Sequence, residues 1–106
     1  MGFDNTSEEN VRSPLPDRKA LQMFGIAETL LGAGKIRVVC EDGKSRLGRI
    51  PGKIRKRMWI REGDLLIVVP WEHGGDDKCD IKYRYTRTQA INLARKRVLP
   101  EILDVF

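Results

Sequence analysis

The chain has 106 residues, 41% of them hydrophobic and 33% charged, with a formal net charge of +5. That length fits one domain with tails, and no apolar run approaches the ~20 residues a membrane span needs. The charge is uneven: from Lys44 to Arg61 there are eight basic residues and no acidic one, which leaves the rest of the chain at about −3 and points to a polyanion as partner.

Residues 1–19 read as a tail. Asp4, Glu8 and Glu9 with no apolar h-region predict no signal peptide, and Ser13-Pro14-Leu15-Pro16 continues neither a helix nor a central strand. A first strand is expected over 21–31, with Phe24, Ile26 and Leu30 apolar and Gly25 marking a bend or bulge. Gly32-Ala33-Gly34 supplies a turn. A second strand over 35–40 alternates, with Ile36, Val38 and Cys40 facing in. Asp42-Gly43 between alternating runs is a hairpin signal, and a third strand over 45–50 ends at Pro51-Gly52.

The basic segment 53–57 follows, where Ile54 and Met58 would share a face of a short helical turn. After Gly63-Asp64, the run Leu65-Leu66-Ile67-Val68-Val69 reads as the most buried strand. Residues 71–78 form an acidic, glycine-rich loop. In the fifth strand Cys79, Ile81, Tyr83 and Tyr85 alternate with polar residues, so all four are expected on the inner side. Thr86 or Thr88 can cap a helix with Ala90, Ile91, Ala94 and Val98 on one side, stopped by Pro100. Arg95, Lys96 and Arg97 then lie where a helix dipole favours cations. The final stretch, 101–106, mixes acid and apolar groups and is expected either to pack on the barrel, the favoured reading, or to serve as a short peptide for a partner.

Five short strands and one late helix predict an all-β protein with a C-terminal helix, built as a five-stranded antiparallel OB-fold barrel. An SH3-like barrel is the competing architecture. The expected organisation is a flexible tail over 1–19, the barrel over 20–85, and a helix with a short tail over 86–106.

Enzyme chemistry finds little support. There is no GxSxG or Walker A pattern, and Gly32-Ala33-Gly34-Lys35 lacks both the earlier Gly and the Ser or Thr after Lys that a phosphate loop requires. His73 has no catalytic partner in the sequence and reads as a surface residue. Glu72, Asp76, Asp77 and Asp80 read as a solvated loop rather than a metal site. Cys40 and Cys79 lie in apolar alternating runs and are expected to be reduced core thiols. No metal or cofactor is expected, and the expected compartment is the cytoplasm.

The candidate site is the basic stretch. It comprises Arg46, Arg49, Lys53, Arg55, Lys56, Arg57 and Arg61, of which Lys53, Arg55, Lys56 and Arg57 have no acidic partners nearby in sequence, so their mutual repulsion is relieved when an anion meets them. Arginine adds phosphate forks and base stacking. Trp59 admits two readings: a stacking platform for a base, or a brace that holds the loop from inside.

Several motifs carry a family resemblance. They are Cys40-Glu41-Asp42-Gly43 with Arg46-Leu47, then Ile50-Pro51-Gly52-Lys53-Ile54-Arg55-Lys56-Arg57-Met58-Trp59-Ile60, Gly63-Asp64, Lys78-Cys79-Asp80-Ile81 and Tyr83-Arg84-Tyr85. Over about residues 25–88 the chain resembles the archaeal translation initiation factor 1A family, the counterpart of bacterial initiation factor 1. The resemblance implies a non-catalytic, monomeric OB barrel bound at the A site of the small ribosomal subunit. There it would contact rRNA through the barrel face and basic loop, block premature tRNA entry, and help other initiation factors and initiator tRNA to bind. On this resemblance Arg46, Lys53, Arg55, Lys56, Arg57 and Trp59 face rRNA; Arg49 and Arg61 are added from charge alone. Eukaryotic members differ at both tails, so tail functions do not transfer. The alternatives are a single-stranded RNA chaperone of cold-shock type and a barrel whose basic loop meets an acidic protein.

Overall fold

The structure is a computed structural model that describes residues 14–52, 59–72 and 75–103. Its strands are β1 (Met23–Gly32), β2 (Lys35–Cys40), β3 (Ser45–Arg49), β4 (Leu65–Pro70) and β5 (Lys78–Arg84). One α-helix, α1 (Arg87–Arg95), follows, and 3₁₀ turns at Arg18–Ala20 and Glu101–Leu103 flank the whole. The strands close in the order β1-β2-β3-β5-β4, with β4 returning to β1. This is the expected five-stranded OB-type barrel with a late helix. One pair departs from the antiparallel expectation: β3 and β5 run parallel. Parity requires it, because strands that alternate in direction around a ring close only when their number is even.

Two apolar clusters hold the barrel. The lumen is filled by Ile36, Val38, Cys40, Leu66, Val68, Cys79 and Ile81 among others, with Ile50 and Ile60 joining them from the loop ends. The second cluster lies outside the sheet, where Phe24, Leu65, Ile67 and Tyr85 meet Ala90 and Leu93 of α1, and Leu99 and Leu103 beyond it. The unbroken run of β4 follows from this arrangement. Leu66 and Val68 face the lumen while Leu65 and Ile67 lie under the helix, so neither side meets water. Each such side chain contributes about 1.5–3 kcal/mol by burial.

The lumen is narrow where β1 and β3 approach Val38. A Cβ on Gly25 would lie 2.6 Å from Val38 Cγ1, and one on Gly48 would lie 2.9 Å from Ile81 Cδ1 and 3.0 Å from Val38 Cγ2. Gly25 is thus fixed by close packing. The irregularities of β1 fall later, between Ala27 and Thr29 and between Leu30 and Gly32.

Strand β5 does not keep one face inward as its alternation predicts. Its register against β4 runs Ile67↔Tyr83 and then Val68↔Ile81, so Lys82 is the extra residue. A one-residue shift exchanges the two faces. Cys79 and Ile81 therefore face the lumen, whereas Tyr83 and Tyr85 join the cluster under α1. Their rings meet edge to face at 5.0 Å.

Helix α1 begins at the first of the two candidate caps. Thr86 Oγ1 accepts from the Gln89 backbone N–H (3.2 Å) and Gln89 Oε1 accepts from the Thr86 N–H (2.8 Å), a reciprocal capping box. The helix is shorter than its pattern suggested. Arg97 adopts φ 57°, and its N–H and that of Val98 donate to the carbonyls of Ala94 and Leu93, a Schellman closure. Val98 therefore lies beyond the helix and is exposed, while Leu93 takes the buried position.

Of the segment expected as a tail, the part from Pro14 onward is described. The Tyr85 hydroxyl donates to the Pro14 carbonyl, and Arg18 pairs with Glu41 at 2.9 Å. The carboxylate of Glu41 also accepts from the Phe24 N–H at 2.7 Å. Cys40 and Cys79 are both free and buried.

Candidate nucleic-acid interface

The basic stretch is anchored at two points of the lumen. Ile50 and Ile60 are each 8% exposed, and the Ile50 N–H donates to the Gly34 carbonyl at 2.9 Å. The connection between them therefore leaves and re-enters at the β1–β2 hairpin end of the barrel. Lys53, Arg55, Lys56 and Arg57, with Ile54 and Met58 of the expected helical turn, lie outside the described residues, as does His73.

At the returning edge Trp59 lies at the surface rather than inside the barrel. The indole is 75% exposed while its neighbour Ile60 is buried. An aromatic ring that large left in water forgoes about 2 kcal/mol or more of burial, so it is a surface available to a ligand. It borders a cavity of about 190 Å³ whose walls include Leu30, Lys35, Ile50 and Ile60. Leu30 and Leu31 are themselves 45% and 48% exposed.

Arg61 is exposed. Its backbone N–H donates to Asp64 Oδ2 (2.8 Å) and its carbonyl accepts from the Asp64 N–H (3.1 Å), closing a turn with Gly63 at φ 93°. Arg49 is also at the surface, with its side chain 60% exposed, and its Nε donates to Asp80 Oδ1 at 3.2 Å. Its guanidinium lies 5.8 Å from the centre of the Trp71 ring.

Arg46 is placed otherwise than expected. It is 2% exposed and its donors are taken. Nη1 and Nη2 donate to the two oxygens of Asp42 at 3.0 and 2.8 Å, Nη2 also reaches Asp76 Oδ1 at 3.0 Å, and Nε donates to the Asp76 carbonyl at 2.8 Å. The physical reason is its place on β3. Outward Ser45 and Arg49 bracket an alternation that sends Arg46 inward at the barrel mouth, where a buried guanidinium must be paired. The two carboxylates respond. Hydrogen bonding from Arg46 holds Asp42 below the usual carboxylate range, and Lys44 and then Arg46 do the same to Asp76. The contact ties the β2–β3 turn to the β4–β5 loop, so it acts as an internal clamp. Arg46 also bears on the thiols: Cys40 is lowered to about 7, first by its hydrogen bond with Cys79 and then by Arg46 against the cost of burial, while Cys79 is raised.

A residue group that charge reading along the chain did not single out lies on the outer wall of β2, β3 and β5. Lys35 pairs with Arg49 across β2–β3, and Leu47 pairs with Lys78 across the parallel β3–β5 seam. Alternation marks Lys35 as outward, but its meeting with Lys78 depends on a pairing between strands remote in sequence.

The comparisons agree with this architecture. A family model described as Translation initiation factor 1A / IF-1 matches residues 10–104. The chain is 56% identical over 105 residues to Translation initiation factor 1A of Picrophilus torridus, across 98% of this chain and 96% of that protein. Among solved structures, translation initiation factor 1 from the Wolbachia endosymbiont (strain TRS) of Brugia malayi aligns with a TM-score of 0.50 and 25% identity, covering 68% of this chain and 88% of that one. YjeQ from Thermotoga maritima aligns with a TM-score of 0.52 and 26% identity over 63% of this chain, which spans only 23% of that protein.

Proposed function

Since the chain belongs to the translation initiation factor 1A family, we propose that it acts in the cytoplasm as a monomer that docks on rRNA at the A site of the small ribosomal subunit. Members of this family are not enzymes, so the work is done by occupancy. A bound barrel occludes premature tRNA entry and leaves a surface that favours initiator tRNA and companion factors.

The observation that carries this reading is the exposed Trp59, 75% accessible beside a loop that holds four cations in five residues and is anchored at Ile50 and Ile60. Lys53, Arg55, Lys56 and Arg57 supply the charge for phosphates, Trp59 a face for a base, and Arg49 and Arg61 flank them. Arg46 acts in this scheme by holding the barrel mouth rather than by touching RNA. No helix among the described residues is long and apolar enough to cross a membrane.

Co-sedimentation with purified small subunits tests the reading. Wild type is expected to sediment, and a Lys53/Arg55/Lys56/Arg57→Ala variant to lose most of its occupancy. With about four phosphate contacts, log K should fall against log salt with a slope of roughly −3. Equal occupancy by the two proteins would overturn the mechanism.

A further inference from the structure

We propose that Asp64 is a positioning residue for RNA binding: its carboxylate sets where the basic connection returns to the barrel, and so how Trp59 is presented. The inference rests on the small-subunit reading above and adds to it a residue of the wrong charge for RNA. An acidic side chain beside a polyanion site opposes binding, so its place there calls for another role.

The bonds around Asp64 supply one. Asp64 Oδ2 accepts from the Arg61 backbone N–H at 2.8 Å, and the same oxygen lies 3.7 Å from Arg84 Nη1 on β5. The Asp64 side chain is 24% exposed, so most of it is withdrawn from water. Its backbone is held to β1. The Gly63 N–H donates to the Ala27 carbonyl at 2.7 Å, and the Ala27 N–H to the Asp64 carbonyl at 2.9 Å. These two bonds carry the β1–β4 pairing one step past Ile26↔Leu65, up to the irregularity of β1 after Ala27. The turn is thereby fixed to the barrel, and the Asp64 carboxylate passes that fixity on to Arg61. Ile60 fills the lumen one residue earlier, and Trp59 stands exposed one residue before that. Two Cα steps of about 3.8 Å separate Trp59 from the bonded amide, so a shift at Arg61 is felt at the indole. A ring already held in place loses less freedom when a ligand meets it, which raises affinity.

Charge and position predict opposite effects of removing this carboxylate. Asp64→Ala and Asp64→Asn each delete one negative charge and take the net charge from +5 to +6, which by itself tightens binding to a polyanion. The Asn carbonyl still accepts from the Arg61 N–H, whereas Ala has no acceptor. In co-sedimentation with purified small subunits, Asp64→Ala is expected to bind about three- to tenfold more weakly than wild type, the range one lost hydrogen bond gives. Asp64→Asn should bind at least as tightly as wild type. In a Trp59→Ala background the two variants should agree within about twofold, because a loss that passes through the indole does not recur without it. Thermal melts set a temperature at which every variant is folded. Should Asp64→Ala not fold, the wild type alone supplies the check: its Arg61 amide should exchange hydrogen at least about tenfold more slowly than an unstructured peptide. Equal binding by the Ala and Asn variants, tighter binding by Asp64→Ala, a difference that survives Trp59→Ala, or an unprotected Arg61 amide would overturn the inference. If co-sedimentation still depended on the loop charges, the proposed function would stand without it. Co-sedimentation indifferent to those charges would remove the proposed function and, with it, the role of Asp64.

Discussion

Replacing Arg46 with Met keeps most of the side-chain volume at the barrel mouth and removes the guanidinium. The loss comprises bonds to both oxygens of Asp42 at 3.0 and 2.8 Å, to Asp76 Oδ1 at 3.0 Å and to the Asp76 carbonyl at 2.8 Å. Removing one partner of a fully buried pair costs about 3–5 kcal/mol, whereas an exposed pair contributes about 1 or less. Arg46 is buried, but the side chains of Asp42 and Asp76 retain 34% and 59% exposure and can rehydrate. The cost should therefore fall between these limits, at about 2–3 kcal/mol. For a domain of this size that lowers the melting temperature by roughly 10–20 °C. Urea unfolding measures the first quantity and a thermal melt the second. Below its melting temperature the variant should still co-sediment with small subunits within about twofold of wild type. The pH dependence supplies an internal check. Asp42 has a lowered folded pKa, so its contribution is present above the ordinary carboxylate pKa of about 3.9 and is lost as pH falls through the folded value. The stability gap between wild type and Arg46→Met should shrink as the pH is taken below about 4. A variant with unchanged stability that fails to bind subunits would refute the clamp and make Arg46 an RNA contact.

Two further substitutions probe the frame that carries the site. Gly48→Ala places a methyl group within 3.0 Å of both Ile81 and Val38 side chains, and urea unfolding should show a loss of about 1–3 kcal/mol. A variant as stable as wild type would mean that the lumen is looser than its contacts imply. Arg97→Gly relieves a non-glycine residue at φ 57° in the helix-closing position. It should stabilise the protein by up to about 1 kcal/mol, read as a rise in melting temperature, and a fall would show that the Arg97 side chain itself holds the helix end.

Much of the barrel could be read locally because its determinants are local. Alternation defined β2 and β3, Asp42-Gly43 marked their turn, and the unbroken run at 65–69 marked a strand covered on both sides. The points where local reading failed are those set by neighbours across the sheet. Alternation put Tyr83 inside with Ile81, but the extra residue at Lys82 turned it out to the helix. Helical periodicity carried α1 on to Val98, whereas the closing hydrogen bonds at Arg97 ended it earlier. The family resemblance grouped Arg46 with the loop arginines, and the sequence does not show that Asp76, thirty residues on, comes back to meet it.

By itself the sequence determined the strand count, the late helix, the concentration of positive charge and the family resemblance, because each depends on residue order or composition alone. Tertiary structure decided which of those charges face outward. It placed Arg46 inside the barrel mouth, where desolvation demands partners, and left Trp59 in water because Ile60 took the place inside. It also brought Lys35, Arg49 and Lys78 to one wall across the parallel seam of β3 and β5. Closing an odd number of strands forces that seam, and the sequence positions it joins are too far apart for local pattern to link them.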